Sequence, residues 1–544
     1  MRKQILFTAV SVLCLSGLTT KAQRYQTEIF TNSQIETISD IQYGTNMSIL
    51  TGTPTASNLL LDVYKPKSAN DTETNRPLVI VLHSGNFLPP VINGSPTGTR
   101  KDSSIVEACR MFARRGYVAA SVSYRLGWNP ISTDEDVRRG TLLQAVYRAI
   151  LDTKTSIRFM RKEHATNSNP YGIDPTKIAI YGQGTGGYVA LATGYLDKQA
   201  EIELSKFISQ ISNPPLFVQG GSYVQTSFLG NFDGSGGIPT FNNYEHAGYS
   251  NDVEMVMNVG GALADSSWIN AGEPAVASVH TIRDPFAPFN SGIVVVPTTQ
   301  ENVVEVQGAN VFILNANSKG LNDAFVNTSF FGDNYTERAR QLYNRTYDYD
   351  LINAGGTVSI GNAEGLFAID LASRTSINRF ANQGSPWDWW SKPVLDATVN
   401  FINNSTNPPG TYNSDQIHGG GLLSNPDMSP AKGRIYLDTI INYFSPRMMR
   451  VMQIGNWEAL SVNENISNNK LSVYPNPANG NVNITLGNVT MNTIQIFDIS
   501  GKLVKSVSNA GNNFTFNTNE LNNGLYLVRV QTENSVEISR LIVK

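Results

Sequence analysis

The sequence predicts an α/β domain with a doubly wound, mainly parallel sheet and cap insertions, followed by a small all-β sandwich. Two observations lead to this prediction. Between residues 24 and 450, apolar strand-like runs alternate with segments of helical periodicity, which is typical of a parallel sheet covered by helices. From residue 471 onward, short runs of β-forming residues are separated by turn residues.

The elements of the first domain are predicted in a regular order. The run Pro77–His83 is apolar almost throughout and ends at Ser84, as expected for a buried parallel strand followed by a tight loop. Ser429 and Pro430 are favoured as an N-cap and a first helical residue, so the last helix of the domain is predicted to begin there. We predict strands at 59–64, 77–83, 117–123 and 177–181, and helices at 105–115, through 143–157 and at 188–195.

The second domain is predicted from six short β-type runs with turn signals such as Asn523-Gly524 between them. Short strands at this spacing are typical of a small antiparallel sandwich. The six runs are 471–474, 482–486, 493–497, 503–507, 525–530 and 538–543.

Composition excludes several classes of protein. The chain has 544 residues, of which 40% are hydrophobic and 16% charged, and its formal net charge is −3. This apolar fraction is enough for a packed core and excludes a largely disordered chain. Basic residues do not outnumber acidic ones, as they do in nucleic-acid-binding proteins, so we expect no nucleic-acid partner. We expect no metal and no cofactor, because the five histidines are scattered and the carboxylates show no ligand spacing.

The first residues have the pattern of a signal peptide. A basic start at residues 2–3 precedes an apolar run over 5–15, and small residues predict cleavage after Ala22. The run is too short to span a bilayer comfortably, and no later stretch is long and apolar enough, so we expect no membrane span. Removal of residues 1–22 would also remove Cys14.

Only one cysteine would then remain. Cys109 would have no partner, so we expect no disulfide within the chain.

Changes in composition divide the chain beyond the signal peptide. Residues 23–455 form the predicted α/β domain, 456–470 an Asn- and Ser-rich linker, and 471–544 the β domain. Two stretches near 200–250 and 325–415 exceed what the sheet needs, and we predict that they are cap insertions.

Four motifs stand in order in the C-terminal 74 residues. They are Val473-Tyr-Pro-Asn-Pro477, Ile496-Phe-Asp-Ile-Ser-Gly-Lys502, Gly524-Leu-Tyr-Leu-Val-Arg-Val530 and Arg540-Leu-Ile-Val-Lys544. Together they resemble the C-terminal sorting domain of the type IX secretion system of Bacteroidetes. The resemblance implies a partner, the type IX machinery, and export through the periplasm to the outer cell surface or the medium. An ordinary β-sandwich binding module is the alternative.

Five further motifs lie between residues 59 and 196. They are Leu61-Asp-Val-Tyr64, His83-Ser-Gly-Asn-Phe87, Ser123-Tyr-Arg-Leu126, Tyr171-Gly-Ile-Asp-Pro175 and Gly182-Gln-Gly-Thr-Gly-Gly187. Their order and spacing resemble α/β-hydrolases of the carboxylesterase and lipase type. The resemblance implies a nucleophile on a strand–turn–helix corner, here residues 182–186, which we call the elbow.

The elbow departs from the family at its central residue. Esterases of this fold have Gly-x-Ser-x-Gly, whose strained turn lifts the serine hydroxyl above the sheet. The sequence has Gly184 at the serine position, and glycine cannot form an acyl-enzyme. Ser222 and Ser235 lie in glycine-rich loops and are the alternative nucleophiles, although neither has the five-residue frame of an elbow.

The resemblance also indicates candidates for the other members of a catalytic triad. Asp284 follows an apolar strand, as the acid of this family does, and Asp265 is the second choice. Of the five histidines, His418 fits best, because it lies in a predicted loop ahead of the final helix. His280 lies within a predicted strand and is expected in the core.

An oxyanion hole is expected from backbone N–H groups of Gly85, Asn86 and Thr185. The loop after the predicted strand at 77–83 has Ser84 and Asn86 where the family usually has glycine, so we expect the hole to be weakened as well. Three of the six tryptophans lie within residues 387–390, where they either seal an insertion against the domain or stack on a sugar ring.

Three functions are compatible with these residues. The first is an exported protein without the nucleophile that binds a ligand or serves a structural role at the cell surface, with an ester or a carbohydrate in its pocket. The second is an active carboxylic ester hydrolase that uses a different nucleophile. The third is nonhydrolytic catalysis by Asp284 and His418.

Overall fold

The structure is a computed structural model that divides into two compact units, residues 1–461 and 462–544. It describes residues 24–457 and 471–544 except for 51, 215, 297–298, 327–333, 350–355, 378, 407, 488, 499–501 and 533–535. The predicted signal peptide and nearly all of the predicted linker lie outside the described residues.

An eight-stranded sheet forms the centre of the larger unit. Its strand order is β1-β2-β4-β3-β5-β6-β7-β12, with β1 and β2 antiparallel to their neighbours and the other strands parallel. The strands are β1 (Ile35–Ser48), β2 (Thr55–Pro66), β3 (Arg76–Leu82), β4 (Val118–Val122), β5 (Ile173–Gln183), β6 (Met255–Val259), β7 (Ala275–Thr281) and β12 (Leu366–Ile369).

The remaining strands and the helices described in this unit lie outside the central sheet. Two antiparallel hairpins are formed by β8 (Ser291–Val295) with β9 (Asn302–Gln307) and by β10 (Thr346–Asp348) with β11 (Thr357–Ser359). The helices are α1 (Ser103–Arg114), α2 (Glu135–Thr166), α3 (Thr185–Tyr195), α4 (Thr226–Leu229), α5 (Ala309–Ser318), α6 (Asp323–Val326), α7 (Asn334–Arg340), α8 (Lys392–Asn403), α9 (Ser414–Ser424) and α10 (Pro430–Met452).

Strand β3 shows how the sheet is buried on both faces. All seven of its residues are buried. Leu78, Ile80 and Leu82 belong to one hydrophobic core, whereas Val79 and Val81 belong to another. Because successive side chains of a strand point to opposite faces, the sheet has a separate core on each side. This confirms the predicted fold class of the first domain.

A buried ion pair attaches the segment after β4 to helix α2. Arg125 and Asp152 are at most 3% exposed, and their side chains approach to 2.9 Å. The Asp152 carboxylate also accepts the Arg125 backbone N–H at 2.8 Å. The pair therefore holds α2 against the carboxyl edge of the sheet.

The second predicted insertion differs from the structure. Within 325–415, residues Leu366–Ile369 form β12, the last strand of the central sheet, paired in parallel with β7. The strand has only four residues, too few for a recognisable period in the sequence. For the rest of 325–415, an insertion stays a prediction.

The smaller unit consists of two antiparallel sheets, with strand orders β13-β14-β17 and β16-β15-β18-β19. Side chains of both sheets, such as Val482 and Val528, share one hydrophobic core. This confirms the predicted all-β architecture, although β17 was not predicted. The strands are β13 (Ser472–Tyr474), β14 (Asn481–Thr485), β15 (Met491–Asp498), β16 (Leu503–Gly511), β17 (Asn513–Asn517), β18 (Gly524–Gln531) and β19 (Val536–Val543).

None of the helices in the described ranges is long and apolar enough to cross a membrane.

Candidate functional site

The elbow lies at the carboxyl end of a central strand. Strand β5 ends at Gln183 and helix α3 begins at Thr185, so Gly184 alone makes the turn. Its backbone has φ +53° and ψ −120°, a conformation that strains any residue with a Cβ atom. The Gly184 N–H donates to the Val259 carbonyl at 2.8 Å, which ties the turn to strand β6.

The space beside Gly184 is occupied by Ser84. A Cβ atom at residue 184 would lie 2.4 Å from Ser84 Oγ and 3.0 Å from Ser84 Cβ. Nonbonded carbon and oxygen atoms do not approach so closely without displacement. The Ser84 side chain, which comes from the loop after β3, therefore fills the place where a nucleophile side chain would begin.

A cavity of about 480 Å³ lies at this edge of the sheet. Ser84, Asn86, Gly184 and Asp284 line it, and they follow strands β3, β5 and β7. Ligands of α/β proteins bind in this position, outside the carboxyl ends of parallel strands. The cavity is therefore the candidate functional site.

Backbone N–H groups are available at the cavity wall. Asn86 and Thr185 both line it, and within the described ranges neither of their N–H groups donates a hydrogen bond. Gly85 and Asn86 have φ of +122° and +54°, so the loop after β3 turns sharply at this point. An oxygen atom in the cavity could accept from such groups, which is the chemistry expected of an oxyanion hole.

Asp284 is a buried carboxyl group three residues beyond β7. It is 3% exposed, and Oδ1 accepts the N–H groups of Phe286 at 2.8 Å and Ala287 at 3.1 Å. Burial raises the pKa of Asp284 to about 7 despite these hydrogen bonds. The nearest histidine contact is with His280, whose Nε2 lies 3.7 Å from Oδ2.

His280 is also part of the core. The ring is fully buried and its Nε2 contacts the Ala287 carbonyl at 3.0 Å. Burial lowers the pKa of His280 to about 4, so the imidazole is neutral.

His418 lies on a helix rather than in the predicted loop. Helix α9 begins after Asn413, whose side chain accepts the N–H groups of Asp415 and Gln416, and this N-cap offsets the poor helix propensity of the glycines that follow. The prediction of a loop at His418 was therefore wrong.

The hydrogen bond of His418 is the reverse of that in a catalytic triad. Its Nδ1 accepts from Trp390 Nε1 at 3.0 Å, so the proton of the neutral ring is on Nε2. A triad histidine donates from Nδ1 to the acid and accepts through Nε2. In the described part of the chain, no hydrogen bond or ion pair joins His418 to Asp284, although Trp390 lines the same cavity.

The second choices from the sequence are used elsewhere. Asp265 forms an ion pair with Lys206 at 2.8 Å and accepts the N–H of Ser267. Ser222 Oγ donates to the Ile202 carbonyl at 2.7 Å, and Ser235 Oγ donates to Asp233 at 2.7 Å. Asp265, Ser222 and Ser235 are not among the described residues that line the cavity.

The tryptophan cluster is divided between two roles. Trp387 and Trp389 are buried in the core, whereas Trp390 lines the cavity. Between them, Asp388 accepts from Ser104 Oγ and Thr97 Oγ1, each at 3.0 Å, and burial raises its pKa. The segment therefore seals the domain with two rings and presents the third to the cavity.

Sequence reasoning missed two residues of this site. In the sequence, Ser84 departs from the family loop, but no local pattern relates it to Gly184, which is a hundred residues away. The helical pattern around Tyr188 predicts a helix and does not indicate a role in the site. A serine in place of a loop glycine, together with a glycine in place of the elbow serine, was the signal that could have paired the two positions.

No group of three or more His, Cys, Asp and Glu side chains in the described ranges could hold a metal ion.

Two segments of the chain match family models. Residues 472–544 match the secretion system C-terminal sorting domain, and residues 61–220 match the family BD-FAE. The second match extends from β2 through the elbow to the first insertion. No curated protein matches the chain.

Solved structures similar to the chain include three of an esterase from the planctomycete Thermogutta terrifontis. The native enzyme is 14% identical over 64% of this chain and 88% of that chain, with a TM-score of 0.28. The propionate-bound form is 17% identical over 43% and 70%, with a TM-score of 0.26. The form phosphorylated by paraoxon is 18% identical over 48% and 75%, with a TM-score of 0.28.

Residues 61–220 thus resemble the BD-FAE family and lie in an α/β domain with a mainly parallel sheet, and residues 472–544 resemble the type IX secretion sorting domain. The sorting domain indicates export to the cell surface or the medium, and it implies interaction with the secretion machinery.

Proposed function

We propose that this protein is an exported binding protein that keeps the hydrolase fold but does not hydrolyse esters. The observation that carries the proposal is the contact at the elbow. Gly184 has no hydroxyl, and Ser84 fills the space in which a side chain at that position would begin. A serine nucleophile is therefore missing, and a side chain restored at residue 184 would have to displace Ser84.

The histidine supports the same proposal. A hydrolase needs a base that removes the proton of the nucleophile. The lone pair of His418 Nδ1 is engaged by Trp390, and Nε2 carries the proton. Asp284, the candidate acid, contacts His280 instead, and that histidine is fully buried. No acid–base relay is assembled from these residues.

The export route is part of the proposal. We propose that residues 1–22 direct the chain to the periplasm and that residues 471–544, after a linker at 456–470, direct it through the outer membrane. Residues 23–455 are then the part that acts outside the cell.

Ester hydrolysis and covalent labelling test the loss of activity. The exported chain is incubated with p-nitrophenyl esters of short and long acids and, separately, with paraoxon, followed by intact-protein mass spectrometry. We expect no hydrolysis above the buffer rate and no added diethylphosphate. Turnover that tracks the protein through purification, or a labelled side chain, would contradict the proposal.

A second candidate function rests on Ser84. Its hydroxyl reaches the vacated position from the neighbouring loop and lines the cavity, so an ester hydrolase with Ser84 as nucleophile is the alternative. In that case paraoxon would label the peptide containing Ser84, and Ser84→Ala would abolish turnover. The matched control is Ser222→Ala, because the Ser222 hydroxyl is bound to a carbonyl away from the cavity.

A further inference from the structure

The chemistry of the cavity wall changes from one side to the other. On one side, Ser84, Asn86, Thr185 and Asp284 follow strands of the central sheet and give the wall its polar character. On the other side, one face of helix α2 presents Leu142, Leu143, Val146 and Ile150 to the cavity. The hairpin β8–β9 and Trp268 continue this apolar wall. A ligand that fills the cavity must therefore have an apolar part and a polar end.

Two buried hydroxyl groups at the polar side are poorly satisfied within the protein. Tyr188 Oη forms no hydrogen bond with the described part of the chain, and Thr185 Oγ1 has only a loose contact with the Tyr124 hydroxyl. Both residues line the cavity. A buried polar atom without a partner is costly and rare in folded proteins, so these hydroxyls are positions where water or the polar group of a ligand in the cavity would form hydrogen bonds.

The charge of the wall limits what that polar end can be. Among the described lining residues there is no Lys, Arg or His, whereas Asp284 and Asp388 are both present. A carboxylate ligand could accept from the Asn86 and Thr185 N–H groups, but it would be buried beside two acids with no cationic side chain in the described wall to balance its charge, which is unfavourable. Uncharged hydroxyl or ester oxygens carry no such penalty.

We propose that the cavity binds a neutral amphiphile, a single long apolar chain that ends in a hydroxyl or ester group. This inference rests on the proposed function, because the ligand is held and not hydrolysed. The apolar tail of the ligand lies along α2 and the β8–β9 hairpin, and its polar end forms hydrogen bonds with the Tyr188 and Thr185 hydroxyls. A volume of about 480 Å³ is within the range of small-molecule sites, roughly 300–1,000 Å³.

Binding of decanol and of decanoate tests the head group. Trp128, Trp268 and Trp390 line the cavity, so quenching or a shift of their fluorescence reports occupancy of the exported chain. At about pH 8 we expect decanol to bind at least about 10-fold more tightly than decanoate, because the anion lacks a countercharge. Equal binding of the two, or no binding of decanol, would overturn the inference.

Tyr188→Phe gives a signature that a merely structural residue cannot produce. Because the hydroxyl has no partner in the empty protein, its removal should leave the melting temperature unchanged or raise it, while decanol affinity falls roughly 3- to 10-fold. Tyr195→Phe on the same helix is the control, since that hydroxyl donates to the Pro274 carbonyl at 2.8 Å and Tyr195 is not among the described lining residues, so its loss should lower the melting temperature and leave decanol affinity unchanged. Unchanged decanol affinity in Tyr188→Phe would refute the placement of the head group.

Substitutions on helix α2 test where the apolar tail of the ligand lies. Val146→Phe fills part of the apolar side and should weaken decanol more than hexanol. Val137→Phe is the matched control on the same helix, because Val137 is not among the described lining residues. The same loss for both alcohols, or in both variants, would contradict the inference. Hydrolysis of a decanoyl ester would refute the proposed function while leaving the order of decanol and decanoate as a separate result.

Discussion

Gly184 and Ser84 should behave as a coupled pair, and a double-mutant cycle measures the coupling. Gly184→Ser alone places a Cβ atom 2.4 Å from Ser84 Oγ and forces a side chain onto a residue with φ +53°. Overpacking costs about 1–3 kcal/mol, and the backbone strain costs about 1–3 kcal/mol more. We therefore expect the free energy of unfolding to fall by about 2–6 kcal/mol.

Ser84→Gly removes both atoms involved in the clash. In that background Gly184→Ser should lose only the part due to backbone strain, so the two substitutions should interact favourably by about 1–3 kcal/mol. Urea unfolding of the wild type, the two single variants and the double variant measures this difference, provided that the free energy of unfolding depends on the urea concentration with the same slope in all four. Additivity within about 0.5 kcal/mol would refute the argument that Ser84 occupies the nucleophile space.

The double variant also separates the nucleophile from the rest of the machinery. Ser84→Gly with Gly184→Ser restores a serine at the elbow, but His418 still accepts from Trp390 and holds its proton on Nε2. We expect ester turnover to stay at the buffer rate. Ser84→Gly with Gly184→Ala is the control without a hydroxyl, and faster turnover by the serine variant alone would mean that a base is in place.

Three further predictions concern stability and export. Asp284→Asn should stabilise the protein relative to the wild type increasingly as the pH rises from about 4 to about 8, by up to about 4 kcal/mol. The reason is that the Asp284 carboxyl has a pKa of about 7 in the folded protein but 3.8 in the unfolded chain, so the wild type loses stability as the pH rises between these values. A difference in melting temperature between the two proteins that does not depend on pH would contradict this. Arg125→Met should cost about 3–5 kcal/mol in urea unfolding, because it leaves Asp152 buried without its partner, whereas Lys392→Met at an exposed ion pair should change little. Deletion of 471–544 should leave the chain in the periplasm, as measured by fractionation, and its appearance in the medium would refute the sorting role.

Several features of the fold follow from local patterns. The continuous apolar run of β3 and the helical periodicity of α2 predict a sheet buried on both faces, and the structure has it. Ser429 is the predicted N-cap, and its hydroxyl accepts the Lys432 N–H. These elements are predictable because their signals lie within a few residues of one another.

The errors occur where local signals are weak or misleading. Strand β12 is four residues long, and β17 lies in an Asn-rich segment that reads as a turn. His418 is followed by three glycines, which suggest a loop, yet the Asn413 cap begins a helix there. In each case pairing with a distant strand or a single cap outweighs propensity.

By itself, the sequence determined that a hydrolase-type fold is present, that a sorting domain follows it, and that the elbow lacks its serine. Each of these depends on the identity and spacing of neighbouring residues. Only the tertiary structure decided that Ser84 fills the vacant space, that Trp390 engages His418, and that Tyr188 is left without a partner at the cavity. The reason is that contacts between side chains far apart in the sequence depend on how strands and helices pack, and local sequence patterns do not specify that packing.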